Sequence, residues 1–169
     1  FQLHTFKRKG KTEKEYVKPE VEVAPGIQSE KIIKWFLDRG ISQQTLNELK
    51  VTDGPEWMPQ TQKAEHTIQF NYYIGNELIN IKYRDGRKNF KLFKGAEKVF
   101  YNIDSTIGYE YCIVAEGEMD VLALHEAGIP NAVSVPNGAT LNRNNLDYLD
   151  NCIDYFEDKE KIILAVDND

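Results

Sequence analysis

The chain has 169 residues, 41% of them apolar and 11% aromatic, a composition that excludes wholesale disorder and allows one substantial domain or two small ones. No apolar run approaches the roughly 18 residues of a membrane span, and two cysteines outside any C-x-x-C pair exclude a disulfide framework and make a structural zinc site unexpected. The net charge of −6 is divided: from Cys112 to Asp169 there are 12 acids against three bases, whereas 78–98 holds seven bases and two acids, so one region repels polyanions and another attracts them.

Residues 1–26 are charged, carry Pro19 and Pro25, and lack the apolar stretch of a signal peptide, so a linker or arm is expected there. The opening residue is Phe, as in a piece of a longer polypeptide. Cys112 and Cys152 sit in apolar patterns and are expected to be reduced core thiols of a cytoplasmic protein. Ser29 then caps a helix whose Ile32, Ile33, Phe36 and Leu37 repeat at helical spacing before Gly40. Ser42 caps a second short helix with Leu46 and Leu49. A helix-turn-helix is one reading of this pair, but the second helix is short and weakly basic, so packing in the core is expected.

"DGPEWMPQ" (53–60) is expected to be a loop. Beyond it "HTIQFNYYI", "ELINIKYR" and "RKNFKLF" alternate as strands, joined by Gly75-Asn76 and Asp85-Gly86, two dipeptides favoured in tight hairpins. With Asp85-Gly86 as a two-residue turn, Arg84 faces Arg87, Lys82 faces Asn89 and Asn80 faces Lys91, all on one side. Ile79, Ile81, Tyr83, Phe90 and Leu92 then form the other side, with Lys88 near the tip. The cationic side is either a solvated face or a strip for phosphates.

From Tyr111 the pattern changes to continuous apolar strands alternating with amphipathic helices. "YCIV" is a strand; "MDVLALHEAG" is a helix with Val121, Leu122 and Leu124 inward; "AVSV" is a second strand. "NRNNLDYLDNCIDYF" is a helix facing inward with Leu146, Leu149, Ile153 and Phe156, and "KIILAV" is a third strand. This βαβαβ order predicts a parallel sheet covered on both faces.

Sites in such sheets form beyond the carboxyl ends of the strands. Glu116 follows the first strand here, and Asp167 and Asp169 follow the third, so three carboxylates meet on one rim if those strands are neighbours. Asp120 lies in the first turn of the next helix and can turn to the same rim, whereas Glu118 is expected to be solvated. Carboxylates a few ångströms apart repel by about 4 kcal/mol per pair at an effective dielectric near 20, and a divalent cation relieves this. Oxygen ligands without His or Cys point to Mg²⁺ or Mn²⁺ and to phosphate chemistry. Helix caps and turn formers are the competing explanation for these acids. His125 is expected on the surface or behind the site. "VPNGAT" (135–140) could lend backbone amides to a phosphate.

"VAEGEMDVLAL" with the downstream "LAVDND" resembles the toprim fold, in its E-G-x-x-D motif after a strand and its D-x-D motif. "SEKIIKWFLDRGIS" and "LINIKYRDGRKNFKLFKG" further resemble the core of phage-type primase–helicases, the family of Twinkle and of bacterial-type primases. The resemblance divides the chain into an arm (1–26), an amino-terminal α+β subdomain (27–110) and a toprim domain (111–169) that is incomplete at its end. It implies a DNA primase making RNA primers by nucleotidyl transfer, with Glu116 as metal ligand and acid/base. Asp167 and Asp169 would be metal ligands, Asp120 a supporting carboxylate, and Lys82, Arg84, Lys88 and Lys91 contacts to nucleotide or DNA. Implied partners are single-stranded DNA, ribonucleoside triphosphates and a replicative helicase domain, and the fragment alone is expected to be inactive. Other toprim enzymes, nucleases and topoisomerases, and a non-catalytic DNA-binding module are the alternatives.

Overall fold

Residues 15–20, 28–137 and 146–167 are described by the structure, a computed structural model of the chain. Helix α1 (Glu30–Leu37) buries Ile32 and Phe36 on one side and leaves Leu37 exposed. Gly40, at φ +75°, adopts the left-handed conformation that suits a residue without a Cβ and leads into α2 (Gln43–Glu48). The Ser42 hydroxyl accepts from the Thr45 N–H at 3.3 Å and caps α2. Leu46 and Leu49 turn inward, so the two helices pack into the core.

Residues 53–58 are strand rather than loop. β1 (Val51–Met58) pairs antiparallel with β2 (Lys63–Ile74), from Val51 opposite Phe70 to Met58 opposite Lys63. Pro55 made this segment look like a loop, but β1 is the edge of the sheet, where a missing N–H removes no ladder bond. β2 returns through the expected Gly75-Asn76 turn, with Ile74 opposite Glu77, into β3 (Glu77–Asp85).

The next turn is longer than expected. Arg84 faces Phe90, Tyr83 faces Lys91 and Lys82 faces Leu92 in the short β4 (Phe90–Leu92). Asp85 organises this turn: its carboxylate accepts from the Arg87 N–H at 2.8 Å, the Asn89 N–H at 2.9 Å and the Asn89 amide at 2.8 Å, while Lys88 takes φ +64°. Burial works to raise the Asp85 pKa, but the bonds from Asn89 and Arg87 outweigh it and hold the carboxyl below its usual range. Because the expected register is off by an odd number, residues exchange faces. Lys82, Arg84, Phe90 and Leu92 share the side of Phe70 and Tyr72, and Lys91 joins Ile81 and Tyr83 on the opposite side.

The second sheet is parallel. β5 (Tyr111–Ala115), α3 (Glu118–Glu126), β6 (Ala132–Ser134), α4 (Asp147–Asn151) and β7 (Lys161–Ala165) give the strand order β6-β5-β7. The long helix expected over 142–156 is the short α4 followed by a 3₁₀ turn at Ile153–Tyr155; residues 142–145 lie outside the described residues. Tyr148 and Cys152 face inward, whereas Leu146 and Leu149 are exposed, because the Phe100 ring offers Tyr148 an edge-on contact at 4.9 Å. Among the described residues, coverage on both faces also fails at β7. Ile162 and Leu164, with Val166 just beyond the strand, form an exposed apolar row on this outer strand.

One apolar cluster unites the two sheets, running from Phe36 and Leu46 through Phe70, Tyr72 and Tyr101 to Val121, Leu122 and Val133. Tyr101 exchanges backbone bonds with Ser134 of β6 and donates its hydroxyl to the Leu49 carbonyl at 2.8 Å. In the arm, Val17 donates to the Gly95 carbonyl at 2.9 Å and Lys18 pairs with Glu77. Among the described residues no helix is long and apolar enough to cross a membrane.

Candidate functional site

β5 is the first strand of its sheet, β6 lies on one side of it and β7 on the other, so the strand order reverses at β5 and a crevice opens at its carboxyl end. Ala115 pairs with Ala165 in register. The residues that follow leave the sheet together: the Asp167 N–H donates to Glu116 Oε1 at 3.0 Å. A cleft of about 710 Å³ lies over these tips, lined by the acids Glu116, Glu118, Asp120 and Asp167 and by the cations Lys82, Arg84 and Lys98. Pro136 and Asn137 line it too, while Gly138, Ala139 and Thr140 lie outside the described residues. Asp169 also lies outside them.

The acids occupy different settings. Glu116 is half-buried and Asp167 exposed. Asp120 turns its carboxylate back on the start of α3, accepting from the Gly117 N–H at 3.0 Å, so its helix-capping role is visible in the geometry. Glu118, expected to be solvated, is instead buried at 3% exposure. Lys82 Nζ donates to both of its oxygens at 2.9 Å, and the Tyr72 hydroxyl donates to Oε1. Burial first, and then the Glu118 charge, hold the Tyr72 pKa well above its ordinary value, so the phenol keeps its proton.

The expected cations part company. Arg84 reaches the cleft, its guanidinium 4.9 Å from the Trp35 ring and 6.0 Å from that of Phe90. Lys82 is held by Glu118. Lys91 borders the cleft, but its ammonium is on the opposite face of the sheet, where it pairs with Glu56 at 2.7 Å beside the Tyr83 ring. Lys88 is exposed at the tip of the 85–89 turn. Three residues near the cleft had no place in the sequence reading: Lys98 lines it, and Arg39 stacks on Trp35 at 3.6 Å beside Arg84. The four-residue spacing of Trp35 and Arg39 on a helix was the available signal for that pair; nothing local distinguishes Lys98. His125 bonds Glu48 at 2.6 Å, away from the cleft.

Among the described residues no group of three His, Cys, Asp or Glu side chains is placed to hold a metal. Glu116 and Asp167 are nonetheless adjacent, and their all-oxygen donors suit a hard divalent cation.

A doubly wound parallel sheet with acids at its switch point, joined to an antiparallel sheet, defines a mixed α/β protein of the toprim class. Residues 110–169 match the family described as Toprim domain. The chain as a whole resembles the toprim primase core of phage-type primase–helicases. It is 32% identical over 171 residues to the primase homolog protein of Arabidopsis thaliana, covering 95% of this chain and 48% of that protein. It is also 32% identical over 151 residues to the chloroplastic/mitochondrial Twinkle homolog of the same plant, covering 83% of this chain and 20% of that one. The chain thus spans less than half the length of these relatives. Among solved structures, the primase fragment of the bacteriophage T7 primase–helicase superposes with a TM-score of 0.61 at 26% identity, over 79% of this chain and 53% of that one. The RNA polymerase domain of Mycobacterium tuberculosis primase DnaG shares the fold, with a TM-score of 0.62 at 14% identity over 85% of this chain and 62% of its own.

Proposed function

We propose that the chain is the central part of a DNA primase that makes RNA primers on single-stranded DNA. The observation that carries this is the meeting of Glu116 and Asp167 at the switch point, in a cleft that Arg84 and Lys98 also line. The likeness to primase homologs and to the T7 primase fragment supports it. The reaction joins the 3′ oxygen of one ribonucleotide to the α-phosphorus of the next and releases pyrophosphate. Glu116, Asp167 and Asp169 would hold Mg²⁺ or Mn²⁺, which when bound supplies Lewis-acid stabilisation of phosphate charge. Glu116 is also the proposed acid/base for the hydroxyl proton, and Asp120 supports the rim by fixing the turn before α3. Arg84 meets phosphate oxygens from the cleft wall. Lys88 and Lys91 could contact nucleic acid that follows the outer side of the antiparallel sheet.

In this reading 27–110 supplies the basic surface and 111–169 the acidic rim. The parent works in the cytoplasm with ribonucleoside triphosphates and a replicative helicase domain, and these 169 residues alone are inactive. The test is templated dinucleotide synthesis by the full-length parent: Glu116→Gln should abolish it and leave single-stranded DNA binding intact, and undiminished synthesis removes Glu116 from its role. The lack of three converging ligands among the described residues favours one rival, a non-catalytic DNA-binding module. Calorimetric titration with Mn²⁺ decides between them. The proposed enzyme binds Mn²⁺ and loses that affinity in Asp167→Asn, whereas the module binds none.

A further inference from the structure

Glu118 is the acid of the "EGEMD" run that turns away from solvent, to 3% exposure, while Glu116 and Asp120 stay on the rim. Its carboxylate has donors from two strands of the other sheet: Lys82 Nζ of β3 at 2.9 Å to each oxygen, and the Tyr72 hydroxyl of β2. Glu118 is also the first residue of α3, so its negative charge faces the positive end of that helix. An ion pair this buried is maintained by near-complete hydrogen bonding, and removing either partner strands the other charge.

We infer that Glu118, Lys82 and Tyr72 form a latch that fixes the β5–α3 turn, and with it Glu116 and Asp120, against the antiparallel sheet. Lys82 is then a positioning residue rather than a phosphate contact. Its side chain is 11% exposed, both Glu118 oxygens already occupy its ammonium, and the Phe90 ring lies 5.4 Å away. A phosphate that drew the Lys82 ammonium off Glu118 would leave that carboxylate buried without its cation. Arg84 and Lys98 line the same cleft without a carboxylate partner among the described contacts, so phosphate contact falls to them.

The inference deepens the proposed primase reading and is tested in the full-length parent with Lys82→Met, Glu118→Gln and the double variant Lys82→Met/Glu118→Met. The last has no stranded buried charge and so carries the least risk of unfolding. Each single change should lower kcat for dinucleotide synthesis by about tenfold or more, leave the nucleotide KM within about twofold, and weaken Mn²⁺ binding by about threefold or more. The double variant should keep the nucleotide KM within about twofold and recover Mn²⁺ affinity, since an apolar pair also docks the turn. A KM raised about tenfold in the double variant makes Lys82 a phosphate contact and overturns the latch. Should the unaltered parent make no dinucleotide and bind no Mn²⁺, the functional reading fails and amide hydrogen exchange at 116–120 judges the latch by itself. Protection lost in Glu118→Gln and regained in the double variant upholds it; protection unchanged in Glu118→Gln refutes it.

Discussion

Arg84 sits half-buried, and that burial, followed by the nearby Arg39 guanidinium, lowers its pKa from the ordinary value. It stays charged, because even a lowered guanidinium is protonated at neutral pH, but the charge is under-solvated and a phosphate would relieve it. Arg84→Ala should therefore weaken single-stranded DNA binding and reduce the salt slope by about one. Lys91→Ala should do less of both, because Lys91 already pairs with Glu56 on the other face. Fluorescence anisotropy of a labelled oligonucleotide over a salt series checks the pair, and a Lys91 effect equal to that of Arg84 refutes the face assignment. Glu116 and Asp167 could be found from sequence because each follows an apolar run that marks a strand end. Glu118 could not, since its partner lies 36 residues away on a strand of the other sheet.

Helix α2 is capped from two directions. Ser42 serves its own helix, and Glu126 of α3 accepts from the Ser42 N–H at 3.0 Å, the Ser42 hydroxyl at 2.9 Å and the Thr45 hydroxyl. The Thr45 hydroxyl first, and then Ser42, hold the Glu126 carboxyl below the usual value of about 4.5. A folded-state pKa below the unfolded one gives stability that is present above the unfolded value and lost as pH falls through the folded value. The thermal midpoint should accordingly fall once pH drops below about 4.5, and fall less steeply in Glu126→Gln; identical profiles for the two proteins would show that the contact contributes nothing. Element identity was legible wherever apolar periodicity ran unbroken, as in α1, β2 and β5. It failed at β1, where Pro55 gave a loop signal that an edge position overrides, and at α4, where an aromatic contact with Phe100 chose the buried side over the leucines.

At the scale of the whole molecule, the two sheets share a core in which Tyr101 touches Phe70 and Tyr72 edge-on, with ring centroids 6.0 and 5.2 Å away, and bridges to β6. Sequence suggested two consecutive units; the shared cluster binds them through contacts between residues far apart in the chain, which periodicity cannot register. Unfolding in urea should therefore be a single transition, with the fluorescence of Trp35 and Trp57 and far-ultraviolet circular dichroism giving coincident midpoints. Midpoints separated beyond error would mean that the sheets melt separately.

The bond from the Asp167 N–H to Glu116 joins positions 51 apart in the chain. Neither acid has its neighbour until the outermost parallel strand has seated itself beside β5, so a divalent ion held there would act as a clasp on that seam. Its affinity would add to the cohesion of a strand whose apolar row is exposed among the described residues, and withdrawing the ion would loosen first the rim that carries the two acids.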